Sequence, residues 1–164
     1  MSTGIYGDQG RAARKAMKLE EIMTTQVATI GMDDTLAAIR KIFEKVHFHH
    51  LLVLSEEHEV VGVISDRDLL KQLSPYLNTA SEQKRDLHTL NKKAHQIMSR
   101  KLISASPTTT VKDAATLLMK HSISCLPVLA EDKWLVGIVT WKDILKFFLQ
   151  SLGSAAPGSR APGA

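Results

Sequence analysis

The chain has 164 residues, 44% of them hydrophobic, and 21 basic against 17 acidic side chains give a formal net charge of +4. This composition is ordinary for a soluble globular protein, and the apolar runs are too short to cross a membrane. The single cysteine, Cys125, excludes an internal disulfide and favours a reducing compartment, so we predict a cytoplasmic protein. Basic residues collect near the N-terminus without interleaved aromatic residues, which disfavours nucleic-acid binding.

Two copies of one unit account for most of the chain. Residues 22–71 recur at 97–146 without a gap, as identities or mainly conservative changes. Agreement over this length indicates an internal repeat, and two copies favour a pseudo-symmetric pair over a solenoid. The predicted organisation is a flexible N-terminal segment (1–17), repeat 1 (18–73), a connector (74–92), repeat 2 (93–150) and a disordered tail (151–164).

The hydrophobic pattern predicts the order strand, helix, strand, strand, helix in each repeat. Asp33 or Asp34 is the expected N-cap of the first helix, and Thr108 or Thr109 caps its counterpart. The next strand is a continuous apolar run, typical of a strand buried on both faces. The predicted strands are 27–29, 51–54 and 60–64 in repeat 1 and 126–129 and 136–139 in repeat 2, and helices follow at 66–73 and 141–150.

A matching junction between strand and helix ends each repeat. Gly-Val-Ile-Ser-Asp-Arg-Asp at 62–68 returns as Gly-Ile-Val-Thr-Trp-Lys-Asp at 137–143. A hydroxyl and an acid three residues later lie together at a helix N-terminus, where free N–H groups favour an anion. The hydroxyl suits a phosphate and the acid suits the diol of a ribose, whereas the alternative interpretation is a simple capping box.

With Ile22-Met23 before the first strand and the middle strands Leu51-Leu52-Val53 and Leu126-Pro127-Val128, these junctions resemble a tandem pair of cystathionine-β-synthase (CBS) domains, or Bateman module. The resemblance covers about residues 18–150. It implies an α/β (α+β) fold in which two pseudo-symmetric β-α-β-β-α repeats pack sheet to sheet. It also implies two clefts that commonly hold adenine nucleotides, and flat dimers that stack through their helices.

The resemblance assigns ligand contacts to both clefts. Residues of one repeat are expected to face the phosphates that the junction of the other repeat binds. One cleft is expected to use Thr140 and Asp143 with Lys142, His49 and His50, and the other Ser65 and Asp68 with Arg67, Ser124 and Cys125. Thr29 and Ser104, at the ends of the first strands, complete the predicted set.

Other interpretations of these residues stay open. His47, His49 and His50 could bind a metal ion, although neighbours on a strand point to opposite faces, or one could be buried and hydrogen-bonded. Arg67 and Lys142 could be solvated cations at helix starts, and Cys125 could be a redox sensor or a small residue at the core edge.

No nucleophile–base set, phosphate-binding loop or dinucleotide motif is found in the sequence, so no catalytic residue and no required cofactor are predicted. Two classes of function remain. One is a sensor of AMP, with ADP, ATP, S-adenosylmethionine or a metal ion as alternatives, which regulates an unknown protein in trans. The other is a ligand-free structural dimer or adaptor.

Three further expectations follow. The run Phe147-Phe148-Leu149 cannot be buried by one helix face, which predicts a homodimer. The Asp143 cleft is expected to bind AMP more tightly, because His49, His50 and Lys142 supply cationic donors there, whereas Asp33 and Asp66 add negative charge near the Asp68 cleft. The affinity of the Asp143 cleft for AMP is expected to rise as pH falls from about 8 to 6, because the histidines gain positive charge near their reference pKa of about 6.5.

Overall fold

The computed structural model describes residues 16–46 and 48–153; the predicted flexible segment up to residue 15, the predicted tail from 154 and His47 lie outside the described residues. The predicted order of strand, helix, strand, strand, helix is confirmed in repeat 1, whereas repeat 2 lacks the first strand. The strands are β1 (Thr29–Gly31), β2 (His50–Leu54), β3 (Val60–Ser65), β4 (Cys125–Leu129) and β5 (Leu135–Thr140). The helices are α1 (Leu36–Lys45), α2 (Asp66–Gln72), α3 (Lys84–His88), α4 (Ala94–Ile97), α5 (Val111–His121) and α6 (Trp141–Gly153). Helix α6 thus extends three residues into the segment predicted as a disordered tail.

The two repeats differ in their first strand. In repeat 1, β1 pairs in parallel with β2, which pairs antiparallel with β3. In repeat 2, β4 and β5 pair antiparallel, and the expected first strand is reduced to one bridge between Ala105 and Val128. The Leu52 N–H donates to the Ala28 carbonyl at 3.3 Å, whereas its counterpart Pro127 has no N–H to donate. The parallel ladder therefore loses a hydrogen bond in repeat 2.

The predicted helix caps are wrong by one or two residues. Thr35 caps α1 and Thr110 caps α5, each through a hydroxyl that accepts from the N–H of the third following residue. The carboxylate of Asp34 accepts instead from the Gly31 N–H at 2.8 Å. Thr109 likewise bonds to the N–H three residues before it. The side chains that were expected to cap the helices thus stabilise the preceding turns, as short polar side chains do.

The middle strands are buried on both faces, as predicted. Leu51 and Val53 pack with the helices of repeat 1, whereas Leu52 points the other way. Leu52 joins Cys125 and Ile138 in a cluster between the two sheets. The fold is therefore an α/β pair of pseudo-symmetric repeats packed sheet to sheet.

The segment that leads into each repeat packs on the other repeat. Leu19 is buried in the core of repeat 2, and Ala94 and Met98 are buried in the core of repeat 1. Thr24 forms an antiparallel bridge with Ile138, and Ser99 forms its counterpart with Val63. These exchanges place backbone from the start of each repeat beside a cleft. Across residues 16–46 and 48–153 no helix combines the length and apolarity that crossing a bilayer requires.

Candidate functional site

A cleft of about 520 Å³ opens between the two repeats. The residues after the Thr24 bridge form one wall, the segment entering β2 forms another, and the N-termini of α2 and α6 form the floor. Val27, Ala28 and Ile138 supply apolar surface. The cleft is called the larger cleft below, and its volume lies in the range of about 300–1,000 Å³ that is usual for small-molecule sites.

Thr140 and Asp143 form a fixed pair in the larger cleft. The Thr140 N–H and hydroxyl donate to Oδ2 of Asp143 at 2.8 Å and 2.7 Å. For Oδ1 of Asp143, no hydrogen bond is found in the part of the chain that the structure describes. The two interpretations of this motif are therefore compatible: one carboxylate oxygen caps the helix and the other is left for a ligand donor.

Ser65 and Asp68 repeat this arrangement beside a smaller cleft of about 250 Å³. The Ser65 N–H and hydroxyl donate to Oδ2 of Asp68 at 3.0 Å and 2.6 Å, and the Asp68 N–H donates back to the hydroxyl at 3.2 Å. Lys71 lies 3.8 Å from Oδ1 of Asp68. Lys101, Ser124 and Cys125 also line this cleft. The volume is below the range usual for small-molecule sites.

The histidines before β2 have different partners. His49 Nδ1 lies 2.7 Å from Oδ2 of Asp66, and His50 Nε2 lies 2.6 Å from Oγ of Ser124. Both rings line the larger cleft, and His50 lines the smaller cleft as well. In the described ranges no group of three or more His, Cys, Asp or Glu side chains is arranged to hold a metal ion.

Burial and charge set the protonation of this wall. Burial is the main cause that lowers the pKa of His50 below 6.5, against the opposing charge of Asp66. The gain of positive charge by this ring between pH 8 and 6 is therefore smaller than expected. Burial alone would raise the pKa of Asp66, but hydrogen bonds from His49 and from the Arg67 N–H outweigh it, so the pKa is lowered overall.

Arg67 and Asp66 lie where the sequence did not place them. Both were expected beside Asp68, but both line the larger cleft, across from Lys142. The reason is that the N-termini of α2 and α6 converge on the larger cleft. The larger cleft therefore holds the cations of both helix starts, together with two acids, Asp66 and Asp143.

Thr29 and Ser104 line neither cleft. The residues just before them do: 26–28 in the larger cleft and 101–103 in the smaller one. These segments were not among the predicted site residues, nor were Phe48 and Trp141, which line the larger cleft. The repeat offset was a usable signal, because it relates 26–28 to 101–103.

Cys125 lies in the smaller cleft but is only 6% exposed. Burial raises the pKa of its thiol to about 12. A thiolate is therefore scarce at neutral pH, which disfavours redox sensing.

Two pseudo-symmetric repeats that exchange their leading segments, each with a hydroxyl–carboxylate pair at the start of its last helix, form the architecture of a tandem domain pair. The sequence model of the CBS domain matches residues 19–75 and 94–150, and the chain belongs to the CBS domain family.

Known relatives share most of the chain. An uncharacterized protein of Methanocaldococcus jannaschii is 32% identical over 152 residues, which cover 79% of this chain and 90% of that protein. The CBS domain pair of protein MJ0100, solved with 5′-methylthioadenosine and S-adenosyl-L-methionine, is 26% identical with a TM-score of 0.69, over 84% of this chain and 99% of that one. CBSX2, solved with AMP, is 25% identical with a TM-score of 0.67, over 83% and 98% of the two chains.

Proposed function

We propose that this CBS pair is a regulatory sensor that binds an adenine nucleotide, with AMP preferred, in the larger cleft. The observation that carries the proposal is the Thr140–Asp143 pair, which is pre-formed by its own hydrogen bonds and lines a cleft of suitable size. The ligands of the two similar solved structures, AMP, 5′-methylthioadenosine and S-adenosyl-L-methionine, share an adenosine group. They differ in the group attached to the ribose, so that group decides among candidate ligands.

Each part of the cleft has a proposed partner on AMP. Val27, Ala28 and Ile138 offer apolar surface to the adenine, and Oδ1 of Asp143 accepts from the ribose diol. The N–H groups at the α6 N-terminus bind the phosphate beside Thr140, whose hydroxyl proton stays on Oδ2 of Asp143. The compact ammonium group of Lys142 and the planar guanidinium of Arg67 neutralise the charge of the phosphate. The same cations support ADP or ATP as second choices.

The larger cleft is the proposed principal site. It is about twice the volume of the smaller cleft, about 520 Å³ against about 250 Å³, and both helix-start cations line it. Asp66 also lines it, but Oδ2 of that carboxylate already contacts His49 Nδ1 at 2.7 Å. We expect AMP to fill the larger cleft first.

Calorimetry with AMP and 2′-deoxy-AMP tests the site. A hydrogen bond to a charged group contributes about 1.5–3 kcal/mol, so Asp143→Ala should weaken AMP binding at the first site about tenfold or more. The matched control is Asp68→Ala, which removes the equivalent acid from the smaller cleft and should leave the first site largely intact. Equal binding of 2′-deoxy-AMP and AMP by the unmodified protein would contradict the ribose contact.

The alternative is an adaptor that keeps the fold without a ligand. Thermal melting with AMP, ADP, ATP and S-adenosylmethionine separates the two, because a ligand at a hundred times its dissociation constant adds about 2.7 kcal/mol of stability. A raised midpoint with S-adenosylmethionine alone would favour a sensor of that compound. Unchanged midpoints with all four would favour the adaptor.

We also propose that the module forms a homodimer through α6. Phe147 packs on the core, but Phe148 and Leu149 are 46% and 61% exposed, as the sequence run suggested. With Trp141, Leu145 and Leu152 they form an exposed stripe at positions i, i+4, i+7, i+8 and i+11. A two-fold axis would bring this stripe against itself, as a symmetric dimer requires. The resemblance to helix-stacked CBS dimers favours a second copy as the occupant.

Light scattering tests the dimer. Leu149→Glu should shift the protein towards the 18.1 kDa monomer, because it places a charge in an apolar interface. Gln150→Glu, which adds the same charge beside the stripe, is the matched control. A monomer at micromolar concentration for the unmodified protein would contradict the proposal. Regulation of another protein in trans, location in the cytoplasm and the absence of catalysis remain parts of the same proposal.

A further inference from the structure

The two clefts share one wall. His50, Ser65 and Ser124 line both the larger and the smaller cleft. His50 stands at the start of β2 in repeat 1, and Ser124 immediately precedes β4 in repeat 2. Their contact of 2.6 Å between Nε2 and Oγ therefore joins the two repeats at the point where the two clefts meet.

The donors of this wall are few. The Ser65 hydroxyl already donates to Oδ2 of Asp68 at 2.6 Å, so its proton is committed to the helix cap. The Ser124 hydroxyl has one proton. His50 is half-buried, and burial lowers its pKa, so its ring carries one N–H at neutral pH rather than two. The His50–Ser124 pair therefore has two protons in all, and one of them bridges Nε2 and Oγ.

We infer that the His50–Ser124 pair couples the two clefts negatively, so that an anionic ligand in one cleft weakens anion binding in the other. When a ligand accepts a hydrogen bond from the Ser124 hydroxyl, Oγ can only accept further hydrogen bonds. The His50 N–H then points towards Oγ and donates to it. The second cleft then faces lone pairs where it would have met a donor. The inference rests on the proposed function and adds to it that occupancy is sequential.

Calorimetry with AMP measures the coupling. In the unmodified protein AMP fills the larger cleft first, so the affinity of the second site is that of the smaller cleft while the larger cleft is filled. In Asp143→Ala the larger cleft is weakened, so the smaller cleft fills while its neighbour is empty. We expect the smaller cleft to bind AMP about fivefold or more tightly in Asp143→Ala than as the second site, a typical size for coupling between sites. Trp141 lines the larger cleft and not the smaller one, so its fluorescence, in a Trp134→Phe background, identifies the occupied cleft.

The same comparison is then made in Ser124→Ala. The fivefold difference should vanish there, because the shared proton is gone. Ser99→Ala is the matched control: Ser99 lines the smaller cleft alone, so the difference should persist.

The outcomes separate this inference from the proposed function. If AMP binds at both clefts and the smaller cleft has the same affinity whether the larger cleft is filled or empty, the coupling is overturned and the sensor stays intact. The same holds if the full difference in affinity persists in Ser124→Ala. Binding at the larger cleft alone, with none in Asp143→Ala, also overturns it. No AMP binding at either cleft overturns both.

Discussion

Replacing Gly137 with alanine should destabilise the module by acting across the two repeats. A Cβ at this position would lie 2.7 Å from Sδ and 3.0 Å from Cγ of Met23, and 3.1 Å from the Thr24 carbonyl oxygen. Met23 and Thr24 belong to the segment that leads into repeat 1 and packs on repeat 2. The substitution therefore pushes against the exchanged segment, and through Thr24 it disturbs a wall of the larger cleft.

The magnitude follows from two opposing effects. Overpacking of a well-packed site costs typically about 1–3 kcal/mol, and here the obstacle includes a backbone carbonyl as well as a thioether. Removing a glycine restricts the unfolded chain and returns about 0.4–1 kcal/mol. The net loss of unfolding free energy should be about 1–2 kcal/mol.

Urea unfolding of a small set of variants tests this reasoning. Gly31→Ala is the matched control: the nearest atom to its Cβ is Oδ2 of Asp34 at 3.8 Å, an ordinary contact, so stability should stay level or rise. Met23→Ala removes two of the three close atoms, so Gly137→Ala should cost clearly less in that background. Equal costs in both backgrounds, or a neutral Gly137→Ala, would refute the account.

Three further predictions concern single side chains. The lowered pKa of His50 means that the folded state favours its neutral form, so this contribution to stability is complete above about pH 6.5 and is lost as pH falls through the folded pKa. Urea unfolding should show a larger loss between pH 7 and 5 for the unmodified protein than for His50→Gln, and equal losses would contradict it. Cys125, with a pKa of about 12, should react slowly with a thiol reagent in the native state and quickly in urea; fast native labelling would show an accessible thiolate. AMP should change Trp141 emission in a Trp134→Phe variant, because Trp141 lines the larger cleft and is 50% exposed, and an unchanged spectrum at saturation would count against ligand there.

Local patterns in the sequence predicted much of the fold. The repeat, the order of elements in repeat 1 and the double burial of β2 follow from periodicity and apolar runs, which short segments carry by themselves. The junction motifs predicted that Thr140 and Asp143 would lie together, since a spacing of three residues brings them to one helix start. The Pro127 that shortens the parallel ladder was visible in the sequence, but its effect depends on which carbonyl the missing N–H would have met.

Only the tertiary structure decided which residues share a cleft. Arg67 precedes Asp68 in sequence, yet Arg67 lines the larger cleft and Asp68 the smaller one. The contact between His50 and Ser124 joins residues 74 positions apart. Both clefts lie between the repeats, and their walls come from exchanged segments and converging helix starts. Local sequence determines how each element forms, but the relative placement of the two packed sheets determines which side chains face each other across a cleft.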